Sequence, residues 1–487
     1  MIYETPQSSL LVGVARCDIT PPVGIYHRMW GAATHDRAAG VHRPLTATAL
    51  CLLKNPGRPD EHQRRLVILS LDHCLLGAAE IAIVRDAIFT RARDPHLQVL
   101  VTFTHTHGAG LMSLDRARLP GGELIEPYLR DLADRCAELA HQAKDALQPA
   151  HISYGSGRCA LAKNRDFWDE ESHQFVCGFN PQEPADETVV VARVTTEQDH
   201  TLATIVNYAC HPTTLAWENQ LISPDYIGAL RETIEAVTHG APCIFLQGAS
   251  AELGPWEGFV GDVSVADRNG RQLAYAALEA LTALPPPGTS YVYQGPTISG
   301  ATLGTWKHLP WNESRQQQSQ ICLAGGRTLD LPYRADRPQR EQVAADLAAA
   351  EVQKNNAQAQ GNEAAARDAH ALIERQTRML RRLAELPAGN YPYRIQAWRI
   401  GDAIWLGVPG ELYSRLQTEL RAKFPRTPIL VITLVDGWGP SYVVPQETYN
   451  QGLYQESIAV LAPGSFEKII AACGEAIQEL LEAAPAD

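Results

Sequence analysis

The run Leu97-Gln98-Val99-Leu100-Val101-Thr102-Phe103 passes directly into Thr104-His105-Thr106-His107, and Gly108-Ala109-Gly110 follows. A short apolar run of this kind reads as a buried strand, and a strand covered on both faces implies a layered body of sheets and helices. Two imidazoles then stand at the strand exit. Residues i and i+2 of a strand share a face, so His105 and His107 are expected to address one site together. The glycines after them leave room for a ligand. The pair alone leaves two readings, a metal ligand or a hydrogen-bonded structural histidine.

Working outward, apolar strand-like runs fall near residues 48–53, 66–71, 97–104, 187–194, 202–209 and 242–247. Helical periodicity is found near 78–92, 124–146, 226–237 and 264–283. Their mixture predicts an α/β or α+β fold of mixed β-sheets layered with helices. Loops at 20–44, 159–186 and 248–262 are long and rich in Pro, Gly and Trp, a composition that favours functional loops. Residues 337–386 differ in kind. Arg337 to Gln360 and Glu363 to Glu385 are rich in Ala, Glu, Gln and Arg and are separated by Gly361. They predict an inserted antiparallel helical hairpin, each arm roughly 34 Å long. The preferred reading is a solvated structural arm, and a homo-oligomer contact is the second. Arg394 to Val408 predicts a β-hairpin turning at Gly401-Asp402, after which Pro409-Gly410-Glu411 is expected to open a helix.

Composition narrows the function classes. The 487 residues carry 42 Lys plus Arg against 55 Asp plus Glu, a formal net charge of −13, with no basic block. Nucleic acid and anionic membrane surfaces are therefore not expected as partners. Met1 to Leu11 lacks the basic and apolar regions of a signal peptide, and no run approaches the roughly 20 apolar residues of a spanning helix. The expectation is a cytoplasmic protein without stable membrane anchoring. Its ten cysteines include no C-x-x-C pair and many lie in apolar segments, as buried reduced thiols do.

Three further segments carry chemistry. His211 follows the strand-like Leu202 to Ala209, with Pro212 fixing the chain direction and Asp225 in Ile222-Ser223-Pro224-Asp225 as a candidate hydrogen-bond acceptor for the ring. Taken alone, a core histidine bonded to a carbonyl is the simpler reading. Glu411, in Val408-Pro409-Gly410-Glu411, is either a ligand at a strand end or a carboxylate in the first turn of a helix, favoured there by the helix dipole. Asp436-Gly437-Trp438-Gly439-Pro440-Ser441-Tyr442 and the tyrosines through Tyr454 say little by themselves.

Together, and in this order, these segments resemble the catalytic domain of the neutral/alkaline (non-lysosomal) ceramidase family along nearly the whole chain. Gly13 to Thr20 looks like the family's G-x-x-x-x-D-I-T start, and Gly40 to Ala47 is similar to its G-[IV]-H-x-[PR]-L-x-A segment. Thr104 to His107 matches T-H-T-H, Asn164-Arg165 an N-R pair, Ile222 to Asp225 the I-S-x-D and Val408 to Glu411 the P-G-E. Ser441 to Pro445, Tyr449 and Tyr454-Gln455-Glu456 look like its tyrosine-rich ending.

The resemblance implies one catalytic domain over 1–487, with the 337–386 hairpin inserted in it. It also implies a single zinc ion held by His105, His211, Glu411 and Tyr442, with His107, Arg165 and Tyr454 around the substrate carbonyl. This is an N/O ligand set suited to zinc. The expected reaction is attack of a zinc-bound water on the linear amide bond of a small-molecule acyl-amide substrate, with His107 shuttling the proton. An esterase, lactonase or carbamate hydrolase with the same site is the nearest alternative, and a non-catalytic zinc-stabilised binding protein the next. Three departures stand out. Gln247-Gly248-Ala249-Ser250-Ala251-Glu252-Leu253-Gly254-Pro255 replaces the family's Q-x-x-x-G-D-x-S-P, which excludes a serine nucleophile at 254 and leaves Ser250 as the nearby hydroxyl. The C-terminal immunoglobulin-like domain and the secretion signal of the long ceramidases are not expected here.

Overall fold

A computed structural model describes residues 1–54 and 65–483. The mixed α/β architecture expected from the sequence is found. Eight strands form one sheet in the order 243–247, 201–208, 188–196, 148–158, 7–18, 46–53, 65–71 and 97–103, parallel only in the pair at each end. A second sheet of four strands runs 322–331, 391–400, 403–407 and 429–432. The β-hairpin expected at Gly401-Asp402 is present, joining Tyr391–Ile400 to Ala403–Gly407.

Period-two alternation explains how the layers stack. In Thr46–Leu53, Ala47, Ala49 and Cys51 face helices Ala78–Ala92 and Ile125–Asp145, whereas Leu50 and Leu52 face the other way. In Thr201–Tyr208, Val206 and Tyr208 pack on helices Tyr226–Val237 and Val263–Thr282. The opposite face meets the four-stranded sheet through Trp398, Trp405, Leu430 and Ile432. That second sheet buries its far side under Arg415–Lys423 and Ser465–Glu482. The result is a four-layer stack, helices on sheet on sheet on helices, in which the central strands are apolar on both faces.

In a flat sheet the strands 97–103 and 201–208 would point in opposite directions, because an odd number of antiparallel pairings separates them. A twist of about 20–25° per strand accumulates to roughly 120–150° over six steps. The sheet therefore curls until its two ends approach, and Ser70 Oγ donates to the Phe245 carbonyl at 2.8 Å. Both strand exits then open onto one place.

The inserted hairpin consists of Arg340–Ala359 and Glu363–Glu385. The expectation of a solvated arm is overturned for the second helix, which is bolted to the body. Arg116 reaches the buried Glu374 at 2.8 Å, Arg378 donates to the Met29 carbonyl at 2.5 Å, and Trp438 Nε1 donates to Glu385 at 2.7 Å. Arg381 pairs with Glu80, which is fully buried and also accepts from the Leu114 amide at 2.8 Å. The Ala-, Glu-, Gln- and Arg-rich composition suggested a solvated arm because these anchors are polar. Glu80→Ala removes the fully buried carboxylate shared by Arg381 and the Leu114 amide, while Arg381 keeps Asp115 and Glu385, and is expected to destabilise the fold by about 1–3 kcal/mol, measurable by denaturant unfolding. No strand was expected in 284–336, yet Thr289–Ser299 and Ala301–Pro310 form a long hairpin that also pairs with Ile2–Tyr3.

All ten cysteines are free, seven of them buried, as their placement in apolar segments implied. No helix among the described residues is long and apolar enough to cross a membrane.

Candidate metal centre

His105 and His107 do meet at one site, their ring centroids 5.1 Å apart, but not as neighbours on a strand face. The strand ends at Phe103, His105 takes a left-handed backbone (φ 67°), and His107 begins a short 3₁₀ turn. A non-glycine residue held there costs about 1–3 kcal/mol and persists only where the surroundings enforce it. Here His105 N donates to the His73 carbonyl at 3.0 Å, and Thr106 Oγ1 donates to the Ser223 carbonyl at 2.7 Å. Gly108 is required, since a Cβ there would stand 2.6 Å from the same carbonyl. The Ile222 to Asp225 segment thus buttresses the histidine turn. Asp225 itself does not serve His211. Its carboxylate accepts from the Leu215 and Tyr226 amides at 2.8 and 2.6 Å, capping helix Tyr226–Val237.

His211 is held by a different group. Its Nδ1 lies 2.7 Å from the Ser250 carbonyl, and Ser250 Oγ, occupied by Gln247 Nε2 at 2.7 Å, sits behind the ring. The expectation of Ser250 as a hydroxyl beside the pocket is therefore corrected: it faces the back of His211 and does not line the cavity. Glu411 does not open a helix either. It begins the two-residue strand Glu411–Leu412, which pairs in parallel with Tyr442–Val443 so that Glu411 stands opposite Tyr442. Gly410 permits this close approach: its φ is 84°, and a Cβ would meet the Ser441 carbonyl at 2.5 Å. The helix starts later, at Arg415.

These elements bring His105, His211 and Glu411 together with their ligand atoms within 4.8 Å of one another. Glu411 Oε2 lies 3.3 Å from His105 Nε2 and 3.0 Å from His211 Nε2. His105 Nδ1 faces the Cys74 carbonyl at 2.7 Å, as His211 Nδ1 faces that of Ser250. With both Nδ1–H groups donated to backbone carbonyls, both Nε2 lone pairs point at a carboxylate oxygen. Three acceptors converging in a buried space demand a cation among them. Burial lowers the His105 pKa, but Cys74 and Glu411 more than offset it and raise it well above the usual range. Burial and Arg165 push His211 down to about 3. One positive charge, from a proton or a metal, is what the cluster calls for, and its donor set fits zinc. Cys74, His105 and His107 also lie close enough to form a second grouping, but His105 Nδ1 is already committed to the Cys74 carbonyl.

Tyr442 Oη stands 3.4 Å from His211 Nε2 and accepts from Arg165 at 3.1 Å. Arg165 is set in place because Ala162–Asn164 pairs with Leu253–Pro255, and its side chain donates twice to the Ala251 carbonyl, at 3.0 and 2.5 Å. His107 has a buried Nε2 without a partner among the described residues, and burial with the neighbouring His105 and His211 holds its pKa well below the usual range. A Cβ at Gly254 would meet Thr213 Oγ1 at 3.7 Å and Arg165 Cδ at 3.8 Å, so that position faces the site without crowding. Glu252 instead turns away and accepts from the Ser414 amide at 2.9 Å.

A cavity of about 360 Å³ opens onto the cluster. His105, His107, Arg165, Glu411, Tyr442 and Tyr454 all line it. Tyr454 stands half-exposed, its ring 5.9 Å from that of Tyr442. Of the loop tryptophans, Trp438 lines this cavity, as does Trp30, which packs 5.1 Å from His107. The helix Glu363–Glu385 forms one wall, a role not read from the sequence, although Ala371, Glu374, Arg375, Arg378, Met379 and Arg382 follow the i, i+3, i+4, i+7 spacing of a single helix face.

The fold is similar to that of neutral ceramidase from Pseudomonas aeruginosa, with a TM-score of 0.62 at 16% identity over 99% of this chain and 76% of that one. A ceramidase complexed with C2 gives a TM-score of 0.63, also at 16% identity, over 99% of this chain and 78% of the other. Residues 10–249, which include His105, His107, Arg165 and His211, match the family described as "Neutral/alkaline non-lysosomal ceramidase, N-terminal". Over those residues the chain belongs to the neutral/alkaline non-lysosomal ceramidase family.

Proposed function

We propose that this protein is a zinc-dependent hydrolase of a linear amide bond in an N-acyl substrate, acting as a cytoplasmic enzyme through one catalytic domain. The observation that carries this reading is the convergence of two tautomer-fixed Nε2 atoms on Glu411 at the floor of a cavity. His105, His211, Glu411 and Tyr442 would hold the ion. When bound, zinc would supply Lewis acidity and an activated water near neutral pH.

The chain's own residues do the rest. Arg165, braced by Ala251 and Tyr442, is placed to donate to the substrate carbonyl oxygen as charge develops on it. His107, kept neutral with Nε2 free, is placed to take a proton during attack and return it to the leaving amine. Tyr454 contributes a phenol from the cavity wall. Nothing in this arrangement requires nitrogen as the leaving atom, so matched amide and ester substrates assayed in parallel decide the bond preference.

The placement of Ser250 behind His211 supports direct attack by water over attack by a serine. Ser250→Ala is expected to keep most activity, because the backbone carbonyl that orients His211 survives the change. Hydrolysis in H₂¹⁸O is expected to put label into the acid product, with no acyl-enzyme in the intact mass. An acyl adduct on Ser250 would overturn direct attack.

A further inference from the structure

The cavity has a cationic wall that amide hydrolysis does not explain. Arg375, Arg378 and Arg382 line it from a single face of helix Glu363–Glu385, in a chain whose net charge is −13. The acidic groups in the same lining are already engaged. Glu374 is taken by Arg116 at 2.8 Å and Glu411 by the two histidines. Arg378 spends one nitrogen on the Met29 carbonyl and approaches Glu374 at 3.5 Å.

Arg382 is different. It forms no ion pair or hydrogen bond with the described residues, its Nε is buried without a partner, and its guanidinium lies 5.6 Å from the centre of the Trp438 ring. Burial pushes its pKa down, against the pull of Tyr454, Glu411 and Tyr442. Arg382 as a whole is only partly buried, and its terminal nitrogens open on the cavity; a partly buried cation without a counter-ion gains from an anionic ligand group. The remaining lining is largely apolar, with Met29, Leu111, Phe259, Met379 and Ile458. A volume of about 360 Å³ lies at the small end of the roughly 300–1,000 Å³ of ligand pockets.

Resting on the hydrolase reading above, we propose that the substrate is a small acyl amide bearing a carboxylate, which Arg382, assisted by Arg378 and by Arg375 at the rim, binds against the apolar wall. The carboxylate can sit on the amine half, as in an N-acyl amino acid, or on the acyl half, as in the monoamide of a dicarboxylic acid.

The test compares N-octanoylalanine, its neutral carboxamide and suberic acid monopropylamide, by hydrolysis on the zinc-loaded full chain and by calorimetric binding. A carboxylate is expected to raise kcat/KM and affinity about 10- to 100-fold over the carboxamide, the range of a charge-assisted hydrogen bond. The two acids report which half carries it. Arg382→Gln is expected to erase the preference mainly through KM, Arg382→Lys to restore part of it, and Arg382→Glu to favour an aminoalkyl amide. Arg375→Gln, at an exposed position, is expected to give a smaller loss and covers the event that position 382 variants fail to fold. Equal binding of acid and carboxamide by the wild-type chain overturns the proposal. So does an Arg382→Gln effect that lowers kcat for both alike and leaves the preference intact. Preferential binding of the acids with no cleavage of any compound sinks the hydrolase reading and leaves the anion site standing.

Discussion

Glu411→Ala and His211→Ala are each expected to strip the metal from the protein and abolish hydrolysis. Among the described residues, Glu411 supplies the only carboxylate facing the two Nε2 atoms, at 3.3 and 3.0 Å. Without it the site keeps two neutral imidazoles and a phenol, too little negative charge to hold a divalent ion in a buried space. Loss of a direct ligand is expected to exceed the roughly 10–100-fold loss of affinity typical of outer-shell changes. Elemental analysis should find about one zinc per wild-type chain. A strong chelator should remove activity, and added zinc should restore it. Cys74→Ser distinguishes the two groupings: it should retain zinc, because Cys74 contributes its backbone carbonyl to His105 and not its sulfur to the ion. Full turnover in verified metal-free protein would overturn the zinc mechanism.

Arg165→Ala and Tyr454→Phe are expected to keep zinc while lowering kcat, by about 100-fold or more for an oxyanion donor. Arg165 is the more severe case. Its guanidinium also bridges the Ala251 carbonyl and Tyr442, so truncation removes both a donor and the brace on the phenol. Tyr454→Phe deletes only a hydroxyl at a half-exposed position and leaves the ring against Tyr442. Zinc content measured beside kcat separates the roles: if zinc falls in step with activity in either variant, that residue supports the ion and not the carbonyl.

The sequence by itself determined the local elements. The apolar runs at 66–71 and 97–104 became strands Arg65–Leu71 and Leu97–Phe103, and the periodicity at 78–92 and 226–237 became the helices Ala78–Ala92 and Tyr226–Val237. These follow from nearest-neighbour patterning, which alternation and helical spacing encode directly. The ordered T-H-T-H and P-G-E segments also held His105 and Glu411, which meet in the cluster, whereas Asp225 of I-S-x-D caps a helix.

How they meet was decided only by the tertiary structure. The strand-face argument for His105 and His107 gave the right neighbours by the wrong route, since a left-handed turn enforced by His73 and Ser223 aims the rings. His105 and His211 converge because accumulated sheet twist reverses a strand direction, a sum over the whole sheet that no short window contains. Glu411 reaches Tyr442 through a two-residue bridge, and His211 is oriented by the backbone carbonyl of Ser250, a group every residue type possesses. The helical hairpin shows the same limit. Its arginines read as a solvated face until Glu80, Glu374 and Glu385 fasten the helix to the body and turn Arg382 into the cavity, because a charge declares its partner only once the chain has folded around it.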